Sequence, residues 1–159
     1  MICWRLCKLK WAKTAFNGIG AADFPGRWNS AGTRMVYCAD SLALAALEIL
    51  VHVGDKSLLS RAHFVSFEVE IADDCIQAPS KLPMGWAKNQ GAAGARLLGD
   101  TFVSEGTMPA MRVPSAVISP GSIYVLNPRH PDFAKITWKP PTPFQFDRRL
   151  GPKKASYLL

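Results

Sequence analysis

Met35-Val36-Tyr37-Cys38-Ala39-Asp40-Ser41-Leu42-Ala43-Leu44-Ala45-Ala46-Leu47-Glu48 is the stretch on which the fold reading turns. Residues 35–39 form a short apolar run that predicts a strand. Asp40 or Ser41 then offers a side-chain oxygen as N-cap, and 42–53 has helical propensity up to Gly54. Apolar residues cover most of this helix's circumference, which predicts a buried helix. Glu48 stands among leucines and alanines, where a carboxylate loses hydration and needs a partner or a task. Just upstream, Gly26-Arg27-Trp28-Asn29-Ser30 places an arginine in a glycine-bounded loop.

Outward from this stretch, 4–6 reads as a short strand or ordered arm. Asn17-Gly18-Ile19-Gly20 and Phe24-Pro25-Gly26 read as a turn-rich approach to Arg27. The alternation over 65–71 is the clearest strand, with Glu68 and Glu70 on a solvated side. Residues 79–85 form a loop. Residues 86–105 look helical but carry Gly91, Gly94 and Gly99. Segments 112–118 and 122–126 read as strands around Pro120-Gly121, and Asn127-Pro128 closes the second. Beyond them the proline-rich end is extended, with 150–159 a flexible C-terminal tail. Strands mixed irregularly with helices argue α+β, in one domain spanning 1–159.

Composition sets the outer bounds. Hydrophobic residues make up 48% and charged residues 19% of 159, as in a globular domain. No apolar run approaches the roughly 20 residues of a membrane span, and no leader pattern follows the N-terminal lysines, so the expected place is the cytoplasm. Cys3, Cys7, Cys38 and Cys75 make a poor disulfide framework. Cys3 and Cys7 would share a face if helical, but neither they nor His52, His63 and His130 show paired metal-ligand spacings, so inert thiols and no metal are expected. The net charge of +7 is uneven. Residues 1–15 carry four Lys/Arg and no acid, residues 128–159 seven and two, and the middle eight and ten. Basic ends around a slightly acidic centre suit solvated tails or an acidic partner better than a nucleic-acid cleft.

On the residues alone, Arg27 is balanced between a ligand-binding role and a structural pairing with Glu48 or a carbonyl. Glu48 has Arg27 or His52 as structural partners, and a cation is expected to hold it ionised. Tyr37 reads first as core filling. Ser115 follows Pro114 on a strand, with no Ser-His-acid arrangement to make it a nucleophile. Trp28 and Asn29 shape the loop, and His130 is a turn residue. Glu68-Val69-Glu70 reads as a solvated face, and Gly91-Ala92-Ala93-Gly94 is too loose for a dinucleotide fingerprint.

Taken in order, Trp4-Arg5, the Gly18/Gly20 loop, Gly26-Arg27-Trp28-Asn29, Val36-Tyr37, Leu44-Ala45-Ala46-Leu47-Glu48, Arg112-Val113-Pro114-Ser115-Ala116-Val117, Asn127-Pro128-Arg129-His130-Pro131 and Phe146-Asp147-Arg148-Arg149-Leu150 resemble the RES-domain toxin family over nearly the whole chain. The resemblance implies an ADP-ribosyltransferase-like fold, with short mixed strands and helices around a central cleft. It implies a bacterial type II toxin that depletes NAD by breaking its nicotinamide–ribose bond, with water or inorganic phosphate as acceptor. NAD is then a consumed substrate, and no cofactor is needed. The implied site residues are Arg27, Tyr37, Glu48 and Ser115. The implied partners are an Xre-like antitoxin and a second toxin copy within a larger complex, without direct nucleic-acid binding. Many members carry a further arginine before the Gly-Arg-Trp motif, where this chain has Ala21-Ala22-Asp23. Protein ADP-ribosylation is the alternative chemistry, and a basic RNA-cleaving toxin the more remote one.

Overall fold

The computed structural model describes residues 1–59, 61–88 and 93–150. In chain order they form β1 (Ile2–Lys8), a 3-10 segment (Leu9–Thr14), α1 (Ile19–Asp23), β2 (Val36–Ala39), α2 (Leu42–His52), β3 (Phe64–Glu70), β4 (Ile76–Gln77), α3 (Ala93–Glu105), β5 (Ala110–Pro114), β6 (Ser122–Leu126), β7 (Thr137–Trp138) and β8 (Thr142–Phe144). The strands join one mixed sheet in the order β4-β5-β6-β2-β1-β3-β7, with β8 also on β3. β4 and β5 are parallel and the other pairs antiparallel. The architecture is α+β.

Two apolar layers flank the sheet. On one side Leu6, Trp28, Leu44, Ala45, Phe102, Val113 and Val125 join α2 and α3 to the strands. On the other, Cys3, Val36, Cys38, Phe67, Val69 and Tyr124 pack together. β6 is buried at all five positions, as suits a strand covered on both faces. Cys3 and Cys7 lie on a strand, not on a helix face. The Cys3 thiol is pushed up by its contact with Cys38 and by burial, so it stays protonated and inert.

Several sequence expectations are corrected. Residues 19–23 form a short helix, not an open turn. β5 stops at Pro114 instead of reaching 118, because Ser115 Oγ takes the amides of Val117 and Ile118 at 3.0 and 3.3 Å and turns the chain. α2 begins as expected, with Leu44 N donating to Ser41 Oγ at 3.2 Å, but Val53 is its C-cap and Gly54 is not left-handed. Nor is α2 fully buried: Leu44 and Ala45 are, while Val51 is 54% exposed. The solvated side of β3 is partly covered: Ser66 is buried against Thr142 of β8 at 2.9 Å, and Glu68 pairs with Lys139 at 2.7 Å. The C-terminal segment folds back on that edge, which alternation cannot reveal. Gly91 and residues 151–159 of the expected tail lie outside the described residues; Leu150 closes a 3-10 turn, Arg148–Leu150.

α3 positions the loop that carries Arg27. Asp100 Oδ1 accepts from Ser30 N at 3.0 Å, and Arg96 Nε donates to the Gly26 carbonyl at 3.4 Å. Gly99 lies against the Trp28 backbone, where a Cβ would come within 1.7 Å of the Trp28 oxygen. Backbone cannot yield like a flexible side chain, so Gly99→Ala is expected to lower stability by about 3 kcal/mol in denaturant unfolding. Gly20→Ala, in α1 with open space around it, should be neutral or stabilising by about 0.5 kcal/mol.

The Asp100 carboxyl is held below the usual range. Desolvation opposes this, and the hydrogen bonds from Ser30 and Thr33 with the field of Arg96 outweigh it. A depressed carboxyl contributes stability above its unfolded pKa of about 3.9 and loses it as pH falls through the lower folded value. Thermal unfolding from pH 6 down to pH 3 should therefore show a smaller loss of stability in Asp100→Asn than in the unaltered chain.

Candidate active site

The loop before β2 is built around one buried amide. Asn29 is fully buried; its Nδ2 donates to the carbonyls of Ala21, Ser30 and Thr33 at 2.7, 3.1 and 3.4 Å. Its Oδ1 accepts from Gly26 N at 3.0 Å and from the Tyr37 hydroxyl at 2.7 Å. The Tyr37 oxygen in turn accepts from Trp28 N at 3.3 Å. Gly26 is required by close approach, since a Cβ there would meet the Tyr37 oxygen at 2.8 Å. Burial pushes the Tyr37 phenol well above its ordinary range, so it remains neutral. Trp28 stacks on Trp86 at 5.6 Å, and Arg27 Nη1 donates to the Trp86 carbonyl at 2.6 Å. A carbonyl is one of the partners expected for a structural Arg27.

Glu48 lies on α2. Its Oε1 accepts from Ser115 Oγ at 2.9 Å, and its Oε2 is 3.8 Å from His52 Nε2 one turn later. The side chain stays 25% exposed. Ser115 is itself buried, and the two amides that its oxygen accepts leave its proton aimed at the carboxylate. Ser115 is thus a positioning residue for Glu48 in this geometry. Among the described residues, the neutral Ser115 hydroxyl and the His52 imidazole stand beside this carboxylate.

Arg27, Tyr37 and Glu48 line one cleft of about 740 Å³, between α2, the Gly26–Arg27 loop and the sheet. Ser115 stands just behind its wall, between the lining residues Pro114 and Ala116. That volume is in the range of sites that enclose a cofactor-sized ligand. The α2 face bearing Glu48, Val51 and His52 belongs to the cleft wall, which is why it is not buried. Among the described residues no group of His, Cys, Asp or Glu is arranged to hold a metal ion, and no helix is long and apolar enough to cross a membrane. His130 caps the 3-10 segment Pro131–Lys135, its Nδ1 accepting from Asp132 N at 3.0 Å.

Arg5 is the site-building residue that sequence reasoning left without a role. β1 meets β2 at a single bridge, Trp4 opposite Ala39. Next to it, Arg5 Nη1 donates to the Tyr37 carbonyl at 2.9 Å, so a side chain continues the strand contact at the cleft floor. Its buried Nε has no hydrogen-bond partner among the described residues. An arginine inside the otherwise apolar run 2–7 of β1 was the available signal.

Comparison with known proteins identifies the family. The family model described as the RES domain matches residues 2–147. A protein named Toxin Res from Yersinia enterocolitica is 30% identical over 151 residues, covering 94% of this chain and 99% of the relative. A Prs ADP-ribosylating toxin from Sphingobium sp. is 30% identical over 137 residues, covering 84% of this chain and 85% of the relative. Among solved structures, the M. tuberculosis MbcT–MbcA toxin–antitoxin complex contains a chain that superposes with a TM-score of 0.70 at 17% identity, over 91% of this chain and 84% of that one, a likeness of fold. With the family model running from β1 to Asp147 and a toxin aligned over almost its full length, the chain belongs to the RES-domain family, as a toxin of that type.

Proposed function

We propose that this toxin breaks the nicotinamide–ribose bond of NAD, passing ADP-ribose to water or inorganic phosphate, and that an Xre-like antitoxin neutralises it. The observation that carries this reading is a serine-held carboxylate, Glu48, on the wall of a 740 Å³ cleft that also presents the Arg27 guanidinium. As nicotinamide departs with the bonding electron pair, positive charge grows on the ribose. A fixed carboxylate stabilises that charge and orients either the ribose hydroxyls or the incoming acceptor. Because Ser115 already holds one oxygen, little reorganisation is needed when the charge develops. Arg27 supplies a planar donor fork that suits a pyrophosphate, and its bond to Trp86 fixes its height in the cleft. The Tyr37 hydroxyl is engaged with Asn29 and Trp28, which leaves its ring as the surface it offers to a ligand.

Purified protein incubated with NAD, with and without phosphate, should release nicotinamide, and expression should lower cellular NAD. Glu48→Gln keeps the shape and removes the charge; turnover should fall about a hundredfold or more. Undiminished turnover in that variant refutes the site assignment. Restoration of NAD by co-expressing a neighbouring gene for a small helix-turn-helix protein would support the antitoxin reading; unchanged depletion would count against that partner. A toxin dimer within the complex belongs to the same proposal.

Tyr37 separates ring from hydroxyl. Tyr37→Phe should lower unfolding stability by about 1–2 kcal/mol, through lost bonds to the Asn29 network, while changing KM for NAD only slightly. Tyr37→Ala should raise KM about tenfold or more, as expected when a stacking surface is removed. Equal KM values for the two variants would exclude the ring as a ligand contact.

The name of the Sphingobium relative gives protein ADP-ribosylation a specific observation in its favour. The same carboxylate and arginine would serve, with a protein side chain replacing water as acceptor. Labelled NAD in a cell extract distinguishes the two: label on a discrete protein supports transfer, and free ADP-ribose products alone support hydrolysis or phosphorolysis.

A further inference from the structure

A second concavity lies at the far end of β1, sharing no lining residue with the cleft. It has a volume of about 460 Å³ and is lined by Lys8, Leu9, Lys10, Arg61, Ala62 and His63. Pairing of β1 with β3 creates it: Lys8 stands opposite Phe64, and Leu9 N donates to the His63 carbonyl at 2.8 Å. Two segments some fifty residues apart thus bring Lys8, Lys10 and Arg61 together, all exposed. Among the described residues none of the three enters an ion pair. Asp55 feels the charge of Arg61, but its carboxyl is held low chiefly by Ser57.

We propose that this cationic hollow is a docking site for a short acidic segment of a partner protein. Three like charges gathered in one hollow repel one another, and an anionic segment relieves that repulsion. The arginine presents a fork that fits a carboxylate. The floor is apolar, from Leu9 and Ala62, and Leu9 and Trp11 remain 53% and 54% exposed beside the cations. Lys10 Nζ sits 4.7 Å from the Trp11 ring, a cation–aromatic contact next to the hollow. Charge around an apolar floor fits a segment whose carboxylates flank an apolar side chain. A nucleic-acid strand would need a longer cationic track with successive aromatic platforms. The site lies apart from Glu48 and Arg27, so its occupant holds a partner without touching the reacting atoms.

The test uses the full chain and a fluorescein-labelled hexapeptide of alternating glutamate and leucine, read by anisotropy against ionic strength. An oligothymidylate of equal length is measured beside it. The peptide should bind saturably and more weakly as salt rises. Lys8→Glu/Arg61→Glu should weaken it at least tenfold, and the milder Lys8→Gln/Arg61→Gln should weaken it measurably while leaving thermal unfolding in place. Lys81→Glu/Lys88→Glu changes net charge equally at another exposed surface and should shift affinity less than twofold. Nicotinamide release should be unchanged in all three, so this inference and the NAD reading can fail separately. Absence of saturable peptide binding, equal loss in both charge-reversed pairs, or tighter binding of the oligonucleotide through Lys8 and Arg61 would overturn the proposal.

Discussion

The buried amide of Asn29 is the constraint on which the site is built. An amide withdrawn from water must have its donors and acceptor satisfied, and the loop closes around Asn29 so that they are. Its donors reach Ala21, Ser30 and Thr33, while its oxygen gathers Gly26 and Tyr37. α1, the Gly-Arg-Trp loop and β2 are thereby tied to one side chain. The position of Arg27 follows from that closure. α3 then seals the loop from outside through Gly99, Arg96 and Asp100.

The opposite wall follows a similar logic with different atoms. The polypeptide turns after Pro114 because Ser115 accepts two amides, and the same hydroxyl gives its proton to Glu48. One serine oxygen therefore ends a strand and orients a carboxylate. Beneath both walls, Arg5 replaces backbone pairing beside the Trp4–Ala39 bridge. The site joins a loop, a helix, a turn and a split in the sheet, and each is held by a polar side chain drawn out of solvent.

Much of this was legible locally. The cap at Ser41, the helix that follows it, the strands at Val36–Ala39 and Ser122–Leu126 and the loop-shaping part of Asn29 all arise from short-range preferences. The errors also have a common cause. A mostly apolar helix looks the same whether its face meets a core or an open cleft, and α2 has both. The polar side of β3 looked solvated until β8 and Lys139 folded onto it. β5 looked longer because nothing local announces that Ser115 takes the next two amides.

By itself the sequence determined the main helix and strands around the site and the α+β class, because periodicity and capping are local properties of the chain, while its ordered motifs carried the family resemblance from which the four proposed site residues came. Tertiary structure alone decided that Ser115 serves Glu48, that the Tyr37 hydroxyl belongs to Asn29 and that Arg5 spans two strands. It also decided that Lys8 and Arg61 converge. Each of these joins groups from different elements of the fold, and such contacts become defined only once the sheet has brought those elements together.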